Sequence, residues 1–215
     1  MKIAAELWER ARRLLVDPRA ELPRMLAESG DRRAILIPYV VALAAIGPVA
    51  GFVSEGVLGT YQPATTLFGT TVPAMYVRAP GVALVVMLLR YVVSVGAWFA
   101  FAGVLERLSP HFGGRRDPGG AYKTAAAVAT PLWVVGALGL FGSVPHLDVA
   151  IWIGGAAALS YGVLIGMWAV PLHLATPEPK AAGHVLSTMS ITVIASAAAY
   201  WLLHYLLIAP FAGLG

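Results

Sequence analysis

Long apolar runs organise this chain, at residues 34–53, 83–105, 124–141, 149–172 and 185–208. A helix rises 1.5 Å per residue and a hydrocarbon core is about 30 Å thick, so about 20 residues suffice to cross it. The pattern predicts an all-α fold, a polytopic membrane bundle with five transmembrane helices over 34–211, preceded by an amphipathic cytoplasmic arm at 1–33. In the arm, Ile3, Leu7, Ala11, Leu14 and Leu15 recur at helical spacing with Trp8 beside them. Glu6, Glu9, Arg10, Arg12 and Arg13 take the other positions. This predicts a helix lying on the inner leaflet with arginines near lipid phosphate, ended by Asp17-Pro18. A second short helix is predicted over 22–28, with Pro23 in its first turn and Gly30 at its stop. The arm suits two roles, anchoring the terminus or binding a partner.

The longest connection, 56–80, is rich in Gly, Thr and Pro and reads as an outer loop. Leu67, Phe68, Met75 and Tyr76 give it some affinity for the interface. The fourth run carries a small residue at every fourth position: Gly154, Ala158, Gly162 and Gly166. Residues four apart share a helix face, and small side chains there let a second backbone come close. An intramolecular neighbour is the favoured partner, and a second copy of the chain, giving a homo-oligomer, is the alternative. Pro38, Pro48, Pro131 and Pro171 fall in or at the ends of the runs, where each removes a backbone donor and kinks its helix.

Composition agrees with lipid as solvent. Apolar residues make up 59% and charged residues 12% of the 215, against about 25% charged in soluble domains. There is no cysteine, which excludes disulfides, thiolate metal sites and a cysteine nucleophile. Residues 1–33 are too charged for a signal peptide, so insertion is expected to begin with the first run. The placement of the 15 cations is more informative than the net charge of +4. Lys2, Arg10, Arg12, Arg13, Arg19, Arg24, Arg32 and Arg33 precede the first run. Arg107, Arg115, Arg116 and Lys123 lie between the second and third, and Lys180 lies between the fourth and fifth. The alternate loops hold Arg78 alone. The positive-inside rule then predicts a cytoplasmic N-terminus and an extracytoplasmic C-terminus in a bacterial inner membrane.

Arg90 remains, inside the second run. A mid-membrane arginine costs about 2.5–3.5 kcal/mol on insertion scales. Glu55 and Asp148, at the outer ends of the first and fourth runs, are the candidate partners for an intramembrane ion pair. The pair reads as structural or as a substrate or proton site. His111, His173 and His184 are expected on the cytoplasmic side, without the spacing of a metal site. No phosphate loop, GxSxG, HExxH or catalytic carboxylate pair is present. No cofactor, metal or nucleic-acid partner is expected, and no enzyme; the bilayer is the expected partner.

Two polar loops carry a recognisable pattern. The first reads Phe112-Gly113-Gly114-Arg115-Arg116-Asp117, then Ala121-Tyr122-Lys123, then Thr130-Pro131-Leu132-Trp133. The second reads Pro171-Leu172-His173-Leu174-Ala175-Thr176-Pro177-Glu178-Pro179-Lys180-Ala181. With five spans, this resembles the bacterial branch of the Yip family, the Ypt-interacting membrane proteins, over about 33–208. The chain departs from that branch at Ala127 and His184, where tyrosine is usual, and at Ala169, where glycine is usual. The resemblance implies a non-enzymatic membrane organiser or adaptor. Asp117, Lys123, Thr176, Glu178 and Lys180 form the candidate docking cluster for a cytoplasmic or membrane protein. Within it Thr176 is a candidate helix cap, with Asp117 and Lys123 pairing across to Lys180 and Glu178. A transporter or channel for a small solute or ion is the alternative function.

Overall fold

The computed structural model describes residues 2–27, 32–67 and 70–207. The fold is all-α apart from a short β ribbon. Helices α1 (Lys2–Val16) and α2 (Pro18–Ala27) form the arm, and α3 (Arg32–Ala44) and α4 (Ile46–Phe52) continue through a π-helical turn, Val53–Leu58. The long helices α5 (Pro80–Leu108), α6 (Pro118–Val135), α7 (Asp148–Leu174) and α8 (Glu178–Leu207) follow. Short 3₁₀ turns, Ser109–Phe112 and Gly136–Phe141, extend α5 and α6.

Among the described residues, five segments are long and apolar enough to cross a membrane: Pro38–Leu58, Pro80–Phe112, Pro118–Phe141, Val149–Leu174 and Glu178–Leu206. The chain is a multi-pass membrane protein. The apolar runs locate all five, but helix geometry carries several of them past the apolar residues. The π turn prolongs the first through Ser54 and Glu55, and the fifth begins at the charged Glu178. Its expected end at 208 lies outside the described residues, as do Glu28, Gly30 and Phe68. The arm, the α5–α6 loop and the α7–α8 loop gather at one end of the bundle, here the arm side. The ribbon and the α6–α7 turn mark the far side.

Helix α6 is the centre. From Gly119 to Val128 it has the run Gly-Gly-Ala-Tyr-Lys-Thr-Ala-Ala-Ala-Val, and nearly every residue except Tyr122 and Lys123 is buried. Small side chains all round let α3, α5 and α7 pack close to one axis. Two backbones also meet closely at Gly136, where an added Cβ would lie 2.8 Å from the Gly47 Cα. Pro48 cannot donate to the Ala44 carbonyl, and the first span breaks there, between α3 and α4.

The arm departs from its expected position. Ala11 and Leu14 are fully buried, and Leu14 clusters with Leu22, Met25, Ala127, Ile165 and Ala169 of α2, α6 and α7. At Ala11 and Leu14 the stripe that predicts a helix on lipid is covered by the protein's own bundle, while Trp8 beside it stays exposed. Asp17-Pro18 ends α1 and also starts α2, because the Asp17 side chain accepts from the Ala20 amide at 3.2 Å and proline suits a first helical position. Helix α2 therefore begins at Pro18, ahead of the predicted 22, and Pro23 lies inside it. Glu21 is 2% exposed and is held by Arg13 at 2.9 Å, with Arg24 at 3.6 Å.

The connection read as a loop folds into a ribbon. β1 (Thr60–Gln62) pairs antiparallel with β4 (Met75–Val77), and β2 (Thr65–Leu67) with β3 (Thr70–Val72). Tyr61 and Tyr76 are register partners with ring centroids 5.4 Å apart, an aromatic cross-strand pair.

Candidate functional site

The two polar loops meet in one buried knot on the arm side. The Arg115 amide donates to the Leu174 carbonyl at 2.8 Å, and the Ser109 hydroxyl donates to the Arg115 carbonyl at 2.8 Å. Gly113 has φ +81°, the left-handed region where a side chain is strained. A Cβ on Gly114 would come within 2.5 Å of both the Ser109 and Thr176 hydroxyls and 2.8 Å from the Leu174 carbonyl. The Gly-Gly pair is thus a conformational and steric requirement of this knot.

Two fully buried histidines stitch the knot to its surroundings. His184 lies stacked on Phe112, with ring centroids 4.9 Å apart and planes 11° apart. Its Nε2 lies 2.9 Å from the Leu105 carbonyl and its Nδ1 lies 3.2 Å from the Thr176 hydroxyl. A carbonyl only accepts, so Nε2–H donates to Leu105, and the neutral ring accepts from Thr176 at Nδ1. His173 repeats the arrangement, with Nδ1 2.8 Å from the Thr124 hydroxyl and Nε2 directed at the Leu22 carbonyl of the arm at 3.4 Å. Their shared location at buried span ends was invisible to spacing. The one sequence signal was the company of threonines near helix ends.

The knot redistributes the candidate docking cluster. Asp117 caps α6 by accepting from the Gly120 amide at 3.0 Å, and its ion pair is with Arg115 at 3.7 Å, not with Lys180. Lys123 donates to the Leu26 carbonyl in the last turn of α2, at 3.2 Å, where a helix end is partially negative. Thr176 is buried, with its hydroxyl bonded to His184. Glu178 and Lys180 are exposed and belong to none of the described ion pairs. The expected crossed pairs are therefore replaced by bonds that fasten arm, α6 and loops together. Beside Lys180 lie Arg115 and Arg116, also exposed, on the loop whose Gly113 approaches the Lys180 ammonium.

On the far side, Arg90 pairs with Glu55 at 2.8 Å, with both side chains about one-third exposed (37% and 36%). The π turn carries Glu55 toward α5, and Gly51 makes room, since a Cβ there would lie 2.7 Å from the Arg90 Nη1. Asp148, the other candidate partner, opens α7, but its side chain lies outside what is described. Near the pair, Ser54 and Ser143 exchange bonds: the Ser143 amide donates to the Ser54 hydroxyl at 2.8 Å, and the Ser143 hydroxyl donates to the Ser54 carbonyl at 2.6 Å.

Between the two ends, a cavity of about 380 Å³ opens near mid-bundle among Pro48, Trp98, Val128, Trp133, Met189 and Thr192. Neither Arg90 nor Glu55 lines it. The small-residue row of α7 faces inward. A Cβ on Gly154 would lie 2.6 Å from Leu138, one on Gly162 2.7 Å from the Val128 carbonyl, and one on Gly166 2.8 Å from Val185. Ala158 is 4% exposed. The row is occupied by neighbours in the same chain, leaving none of these four positions for a second copy.

Comparison with known proteins finds no matching family model, no matching curated protein and no matching solved structure.

Proposed function

We propose that this protein is a non-enzymatic membrane organiser of the Yip type, with its arm side in the cytoplasm of a bacterium and its cationic rim docking an acidic segment of a protein partner. One observation carries this reading: the residues of the two motif loops fold into a single rigid knot. Asp117, Thr176, Phe112 and the glycines hold it, while Arg115, Arg116 and Lys180 remain exposed around it. A fixed group of cations on a buried scaffold suits recognition by charge complementarity. The bias of cations toward this side supports the cytoplasmic orientation.

The test is crosslinked affinity purification from native membranes, comparing the full chain with an Arg115/Arg116/Lys180 triple glutamine variant. These side chains are exposed, so the fold is expected to survive. A protein recovered with the wild type and lost from the variant supports the adaptor. Identical recoveries from both remove it. A second reading, passage of a small solute, draws on the mid-bundle cavity and the Arg90–Glu55 pair. It requires flux in liposomes that Arg90→Ala alters.

A further inference from the structure

A groove of about 750 Å³ lies under the arm, between α2 and the last turns of α7. Its α7 wall is apolar: Met167, Pro171 and Leu172 line it, and Trp168 lies among them. These residues follow Leu164 at three, four, seven and eight positions, which places them on one helix face. Leu164 and Leu172 are exposed, and in a membrane that face meets hydrocarbon. Met167 stands about 10 Å of helix inside Leu174, where the span ends, at 1.5 Å per residue. The groove therefore reaches from the membrane boundary into the acyl region.

Two charges line the same groove. The Arg19 guanidinium lies over the Trp168 ring, 4.6 Å from its centroid. Stacking fixes the plane of a group whose fork of donors matches phosphate. Arg13 and Arg24 are drawn to Glu21, whereas Arg19 takes part in none of the described ion pairs. Glu178, the first residue of α8, also lines the groove and is likewise in none of them. A cation and an anion thus share one groove with an apolar wall, each without an ionic partner among the described residues.

We propose that this groove binds a phosphatidylethanolamine molecule of the surrounding bilayer. Arg19 takes its phosphate, Glu178 its ammonium, and the Met167–Pro171–Leu172 wall an acyl chain. Arginine alone would suit any phospholipid phosphate. The carboxylate makes the distinction. It repels a headgroup of net negative charge, and it accepts hydrogen bonds from a primary ammonium, which has donors, but not from a trimethylammonium, which has none. Among the described residues Trp168 is the one aromatic ring lining the groove, and Arg19 already covers it, so they form no aromatic cage for choline. The site is independent of the adaptor reading, since it uses neither Arg115, Arg116 nor Lys180.

The test is native mass spectrometry of the delipidated full chain, incubated with equal amounts of phosphatidylethanolamine, phosphatidylcholine and phosphatidylglycerol of identical acyl chains. Wild type is expected to retain the ethanolamine lipid over the choline lipid by about five-fold, the scale of one exposed charge-assisted bond. Glu178→Gln is expected to bring that ratio near one by lowering the bound ethanolamine lipid, with the bound choline lipid unchanged. Arg19→Gln is expected to lower the total. Circular dichroism on both variants verifies that the helices persist. A wild-type ratio near one, a ratio that survives Glu178→Gln, or a preference for phosphatidylglycerol would each overturn the proposal.

Discussion

The histidine–threonine knot on the arm side and the Arg90–Glu55 pair on the far side handle polar groups in opposite ways. On the arm side His173, His184, Thr124 and Thr176 are fully or almost fully buried, and each has a hydrogen-bonded partner. These rings and hydroxyls bridge elements far apart in sequence, with no described ion pair among them. On the far side the chain uses full charges, Arg90 and Glu55, and leaves both partly accessible. A satisfied neutral network in a low-dielectric setting is rigid, and losing one member strands its partners. A half-exposed ion pair is screened and forgiving. Substitutions in the arm-side knot are therefore expected to cost the fold more than substitutions in the far-side pair.

The strongest way to break this contrast is Gly114→Ala. The new methyl meets two hydroxyls and a carbonyl at once, and the expected loss is about 3 kcal/mol, read as the unfolding midpoint in a denaturing-detergent titration. Next is His184→Leu, which leaves the Leu105 carbonyl and Thr176 hydroxyl without their partner. About 2 kcal/mol is expected by the same titration, with His184→Phe no better, because stacking on Phe112 does not replace the hydrogen bonds. On the far side, Glu55→Leu should cost only about 1 kcal/mol, and adding Arg90→Met should recover most of it, since removing both charges strands neither. A Glu55 variant less stable than the His184 variant would invert the comparison. The smallest effect belongs to Glu9 in the arm. Arg12, at 3.0 Å, holds its carboxyl below the ordinary 4.5. A lowered native value contributes stability above 4.5 that is lost as pH falls through the lowered value. The pair lies at the surface and is screened by solvent, so Glu9→Gln should leave the midpoint in that acidic window indistinguishable from wild type.

Legibility followed the range of each interaction. The spans were readable because crossing hydrocarbon requires only length and apolarity, both local properties. Glu55 was readable as a partner for Arg90 because few acids lie near the outer span ends. The inward use of Gly154, Gly162 and Gly166 was half readable: spacing announces close approach, and only the fold supplies Val128 and Val185 as the neighbours. The covering of Leu14 was not readable, because an amphipathic stripe states that something apolar lies against it and not whether that is lipid or α7. The ribbon was missed because its strands are three residues each, too short for alternation to register. The expected crossed pairs were misread because charge and proximity suggest ion pairs, whereas Asp117 caps α6 and pairs with Arg115, and Lys123 found a carbonyl at a helix end. The Ala-rich run 124–129 was available as a mark of the central helix, since side chains that small suit neighbours on every side.

The seat of the arm also sets an order of assembly. Leu14 and Ala11 pack on residues of α6 and α7 that the ribosome supplies more than a hundred residues later. Until those helices enter the membrane, the stripe has no protein to cover it, and the bilayer surface is the apolar shelter within reach. Burial of Ala11 and Leu14 therefore follows the entry of α6 and α7, so the first helix made is among the last to be covered.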